Sequence, residues 1–218
     1  MMKTSEWRKI RVWDLPVRLF HWALVLLMAM LFLSAYAGQM EAHGAIGRVV
    51  LVLVVFRLVW GFIGSQTSRF SDFVKGIGGI RAYLSSGKLE TVGHNPLGAL
   101  MVVAMLAVIL IQAVSGMFSS DGLGFSGPLA HWISKVASDS IASFHVIMAY
   151  VIAILIASHV LAVLWHWIRH RENLIIPMFS GKKWVPLNTV QPLFASSALA
   201  LVIVVLVAVL VVAATRGT

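Results

Sequence analysis

The chain has 218 residues, 60% hydrophobic and 11% charged, with a mean hydropathy of +0.92, which excludes a water-soluble globular domain. The formal net charge of +9 suits nucleic acid, but the basic residues lie between long apolar runs, where they set membrane topology instead. Cysteine is absent, which excludes disulfides, thiolate catalysis, iron–sulfur clusters and covalent c-type haem attachment.

Residues 1–16 are polar and basic, with Lys3, Arg8, Lys9 and Arg11. The first apolar span is 17–37, with Arg18 and His21 near its start. Ala35-Tyr36-Ala37 has the small-x-small pattern of a signal-peptide cleavage site. The run is longer than a signal core and carries two ionisable residues, so a retained transmembrane helix is expected. His43 opens the second span, 44–63. A polar stretch, 64–95, carries Arg69, Lys75, Arg81 and Lys88. Pro96 suits the first turn of a third helix over 96–118. Residues 119–138 read as a Gly- and Ser-rich loop, with a short helix around His131. The fourth span is 139–167, closed by Arg169-His170-Arg171, and the fifth is 194–214, with no ionisable group. The expected fold is all-α: an integral membrane protein of five transmembrane helices, the fifth in the C-terminal segment 185–218.

Lysine and arginine orient the chain. Five lie in the N-terminal segment, four in 64–95 and four in 169–193, against Lys135, Arg216 and the helix-embedded Arg48 on the other side. The positive-inside rule puts the N-terminus in the cytoplasm and the C-terminus outside.

The histidines carry the chemistry. His145 and His159 are fourteen residues apart in the fourth span, hence on one helix face and ~21 Å apart along the axis. Topology puts His21 at the inner depth of His159, and His43 at the outer depth of His145. A lone membrane histidine can simply bond a neighbouring helix or line a proton path. Two depth-matched pairs point instead to two metalloporphyrins, each held by two imidazoles. Zinc fits less well, because each pair offers two ligands where zinc takes three or four. Arg57 lies fourteen residues after His43, at the inner depth, and Arg48 about one turn from His43. Both are candidates for haem propionates. His166 sits two turns beyond His159 in Trp165-His166-Trp167 and reads as interfacial, with a role as ligand or in a quinone site as the alternative. His94, His131 and His170 read as solvated.

Several of these residues fall in linked motifs: Val12-Trp13-Asp14-Leu15-Pro16-Val17-Arg18-Leu19-Phe20-His21-Trp22, His43-Gly44-Ala45-Ile46-Gly47-Arg48 and Arg57-Leu58-Val59-Trp60-Gly61-Phe62, then His94-Asn95-Pro96-Leu97-Gly98 and His170-Arg171-Glu172-Asn173-Leu174. Over about residues 8–184 the chain resembles the bacterial cytochrome b561 family, joined with the b-type cytochrome subunit of nickel–iron hydrogenases. The resemblance implies a four-helix bundle with two b haems on His21, His43, His145 and His159. It also implies electron transfer between the quinone pool and a redox partner, either a periplasmic cytochrome or a dehydrogenase or hydrogenase subunit. Alternatives are a superoxide:quinone oxidoreductase acting without a partner and a haem-free transporter or scaffold. Few cations line the outer face, which argues against a funnel for superoxide.

Overall fold

The computed structural model describes residues 7–86 and 92–216; Lys3 and Lys88 lie outside them. The chain opens with a short strand, β1 (Trp7–Arg11), then α1 (Leu15–Tyr36) and α2 (Met40–Ile63). A 3-10 turn, Gln66–Ser68, leads to two short helices, α3 (Phe70–Phe73) and α4 (Gly76–Ser86). Next come α5 (Pro96–Phe118), a 3-10 turn at Ala130–Trp132 and α6 (Lys135–His170). The chain closes with α7 (Ile175–Ser180), strand β2 (Lys182–Pro186) and α8 (Ser197–Thr215).

Five of these helices, α1, α2, α5, α6 and α8, are long and apolar enough to cross a membrane. Their starts follow local chemistry. Asp14 caps α1, its carboxylate accepting from the Val17 N–H at 2.7 Å, with Pro16 in the first turn. Asn95 caps α5 in the same way, accepting from the Gly98 N–H. Ser134 caps α6, so this helix begins at Lys135, four residues before the expected start at 139. Its 36 residues span about 54 Å, well beyond a ~30 Å hydrocarbon core, so its ends stand in polar surroundings.

Helix α2 is the hub. It packs against α1, α5 and α8, while α6 packs along α5. Val50, Val54, Phe56 and Trp60 of α2 are buried with Leu106 and Ile109 of α5. The fifth span lies on the outside of α2 and buries Ala200, Ile203 and Val207 there. Bonds from Ala195 N–H to Ser65 Oγ and between Gln66 and Leu193 anchor its entry.

The two strands were not expected. β1 and β2 pair antiparallel, Trp7 opposite Pro186 and Arg11 opposite Lys182, turning Ile10 and Val185 into the core. The segment read as a polar tail is therefore a clamp across the bundle's end. Gly181 extends it, its carbonyl accepting from the N–H groups of Val12 and Trp13.

Candidate functional site

Two histidine pairs meet across the bundle. Nearer the sheet, His21 of α1 faces His159 of α6 with ring centroids 6.4 Å apart. Toward the opposite end, His43 of α2 faces His145 of α6 at 6.2 Å. Two imidazoles on opposite sides of one metal, with metal–nitrogen distances of about 2.0 Å, have centroids about 6.3 Å apart. Among the described residues, no group of three or more His, Asp or Glu is placed to hold a metal ion. Each pair therefore suits a group that brings its own equatorial ligands, such as a porphyrin, rather than zinc.

Hydrogen bonds set the tautomers at the His43/His145 pair. His43 Nδ1 lies 3.0 Å from the Leu31 carbonyl and 3.4 Å from Ser34 Oγ. A carbonyl only accepts, so Nδ1 carries the proton and Nε2 presents a lone pair. His145 Nδ1 lies 2.9 Å from Ser115 Oγ, whose own proton goes to the Gln112 carbonyl. Ser115 Oγ therefore accepts from His145 Nδ1–H, and both Nε2 atoms are free as ligands. Gly116 stands against the His145 ring; a Cβ there would lie 3.0 Å from Cε1.

The His21/His159 pair sits among unpaired buried donors. His21 packs edge-on against Trp22 at 4.9 Å. Arg57 is buried with its guanidinium over the Phe70 ring, and its Nη1 has no hydrogen-bond partner among the described residues. A buried guanidinium lacking an acceptor suits a group bearing carboxylates, as haem does. Arg48 lines a surface cavity with Glu41, Phe125 and Arg216 at the other end of α2.

His94 was expected to be solvated and is instead half-buried between the rings of Trp13, at 4.6 Å, and Phe73, at 4.9 Å, with its Nδ1 shut off from solvent. Burial, with Arg57 and His159 nearby, pushes its pKa down to about 3, so it is neutral. Trp13, just before α1, and Phe73 of α3 fold over this end of the bundle and cover it. His131 is exposed in the 3-10 turn and His170 at the end of α6. His166 is half-buried and bonds Glu172 through Nδ1 at 3.2 Å. Sequence reasoning also missed Asp14, Ser115 and Glu172. Asp14-Leu15-Pro16 carried a helix-start signal that locates Asp14; Glu172 stands in the His170–Leu174 motif quoted above, and nothing local marks Ser115.

A family model described as prokaryotic cytochrome b561 matches residues 12–181. The chain is 23% identical to a probable Ni/Fe-hydrogenase B-type cytochrome subunit of Rhizobium leguminosarum bv. viciae, over 83% of this chain and 91% of that relative. It is 24% identical to the probable Ni/Fe-hydrogenase 1 B-type cytochrome subunit of Escherichia coli K12, over 78% and 88%. A similarly named protein of Azotobacter vinelandii is 24% identical, over 82% and 90%. No solved structure matches the chain at the level these relatives do. With five membrane-length helices and a family match over most of its length, the chain belongs to the prokaryotic cytochrome b561 family, as a multi-pass membrane b-type cytochrome that carries electrons.

Proposed function

We propose that the chain is a di-haem electron-transfer subunit of a quinone-linked oxidoreductase, moving electrons between a quinone and a redox protein at the opposite membrane face. The observation that carries it is the pair of imidazole separations, 6.4 and 6.2 Å, ~21 Å apart in depth along α6. His21 and His159 hold one haem b, and His43 and His145 the other. Arg57 answers a propionate of the first, and Arg48 is assigned to the second. Bound haem supplies a one-electron iron couple, and two imidazole ligands per iron leave no open position for oxygen. The haem-bearing domain is residues 1–184, and residues 185–218 add α8 beside α2. The N-terminus, the sheet and the His21/His159 pair face the cytoplasm of a bacterial inner membrane, supported by the basic segments at that end. The partner is a hydrogenase, a reading supported by the relatives' name as Ni/Fe-hydrogenase cytochrome subunits.

The test is the visible spectrum of detergent-purified protein, oxidised and reduced, with a pyridine haemochrome count. Two low-spin b haems per chain are expected. A colourless protein would return the four histidines to proton transfer or packing.

A further inference from the structure

One polar chain at the sheet end is unused by this reading. Helix α6 ends at Arg171, which takes a left-handed conformation (φ 56°) rare outside glycine. That turn folds the chain back beneath the helix. The Glu172 N–H donates to the His166 carbonyl at 3.2 Å, and the Glu172 carboxylate meets His166 Nδ1 at 3.2 Å. Lys183 of β2 donates to the other carboxylate oxygen at 2.6 Å. On the far side of the imidazole, His166 Nε2 lies 3.5 Å from Asn95 Nδ2, which also reaches Tyr83 Oη. The amide nitrogen only donates, so Nε2 is an acceptor and Nδ1 carries the proton toward Glu172.

Two features give this cluster a direction. His166 follows His159 by seven residues, so it lies on the same face of α6, ~10 Å nearer the sheet end. Glu172 is about one-third exposed, whereas the His166 side chain is largely covered. A path thus runs from solvent through Glu172 to an imidazole below the His21/His159 pair.

We propose that His166, poised by Glu172, is the proton-transfer residue for a quinone bound beside the His21/His159 pair. This rests on the quinone reading above. Reducing a quinone to a quinol takes two electrons, which haem held by the His21/His159 pair would supply one at a time, and two protons. Each proton enters from water, is held as an imidazolium on His166 against the Glu172 carboxylate, and leaves from Nε2 to a quinone oxygen seated between Nε2 and the Asn95 amide, where that oxygen accepts from both donors and neutral imidazole is restored. The groups facing His166 are Asn95, the cap of α5, Glu172, and His170 of α6 at 5.2 Å, with Lys183 behind Glu172 and Tyr83 behind Asn95.

The test uses the haem-loaded full chain, reduced with dithionite freed of excess, and mixed with ubiquinone-1 in stopped flow between pH 6 and 9. Wild type is expected to slow as pH rises. H166Q and E172Q should each react at least tenfold more slowly, with a flattened pH profile and unchanged haem content and spectrum, and Glu172→Asp should restore most of the rate. Wild-type rates and pH profiles in both variants would overturn the proposal and leave the quinone reading standing. Loss of haem in both would make the cluster a fold clamp and overturn it too. A wild-type protein that passes no electrons to ubiquinone-1 would sink the quinone reading itself.

Discussion

The Trp60 indole donates its Nε1–H to the Asp14 carboxylate at 2.9 Å, with both side chains wholly buried. The same carboxylate caps α1 and accepts from Ser68 Oγ at 3.1 Å. One buried anion thus ties the start of α1 to the end of α2 and the turn after it. Asp14→Ala removes a cap, about 1 kcal/mol, and strands two buried donors, about 1–3 kcal/mol each. A loss of about 3–7 kcal/mol is expected in unfolding of the detergent-solubilised protein, with Asp14→Asn milder because its amide oxygen still accepts. A loss under about 1 kcal/mol for Asp14→Ala would show that water replaces these bonds.

The histidine pairs make a selective prediction. His43→Ala or His145→Ala should remove one haem and leave the other, as should His21→Ala or His159→Ala for the opposite haem. Haemochrome counts should halve in each case and stay whole in His166→Ala. A halved count in His166→Ala, with a whole count in His159→Ala, would shift the ligand two turns along α6.

Ser115 accepts from the Nδ1–H of His145 and so makes that ligand more electron-rich. In Ser115→Ala the imidazole donates less to iron, and the ferric form loses stabilisation. The midpoint potential of the haem on His43 and His145 should rise, by up to about 40 mV for a bond worth ~1 kcal/mol. A redox titration resolves the two haems; an unmoved or lowered potential would count against the assigned tautomer.

Glu172 predicts a pH dependence of stability. Burial alone would raise its pKa, but the hydrogen bond and charge of Lys183, with His166, bring it below the ordinary carboxylate value. A depressed folded pKa stabilises above the unfolded value, about 4.3, and that benefit fades as pH falls through the folded one. Because the pair is part-exposed, Glu172→Gln should cost less than about 1 kcal/mol at pH 7. The difference from wild type should shrink below pH ~4; one that persisted there would mean that the carboxylate charge contributes nothing.

The membrane helices were legible because lipid imposes a local rule. Each span must satisfy its own backbone and be apolar on all sides, so length and composition reveal it. The matching face of His145 and His159 was equally local, since helical geometry alone relates two residues of one helix. His94 was misread for the opposite reason. Its enclosure depends on Trp13 and Phe73, which lie far off in sequence, and a short loop position carries no mark of what folds over it.

The chain's residues alone thus determined that it spans a membrane several times and that His145 and His159 share a helix face. Only the tertiary structure decided that residues 7–11 pair with 182–186, that Asp14 is a buried anchor, and that Arg171 turns Glu172 back under His166. Helix periodicity is a property of neighbouring residues, whereas a two-strand clamp and a buried carboxylate depend on partners brought together only when the bundle closes.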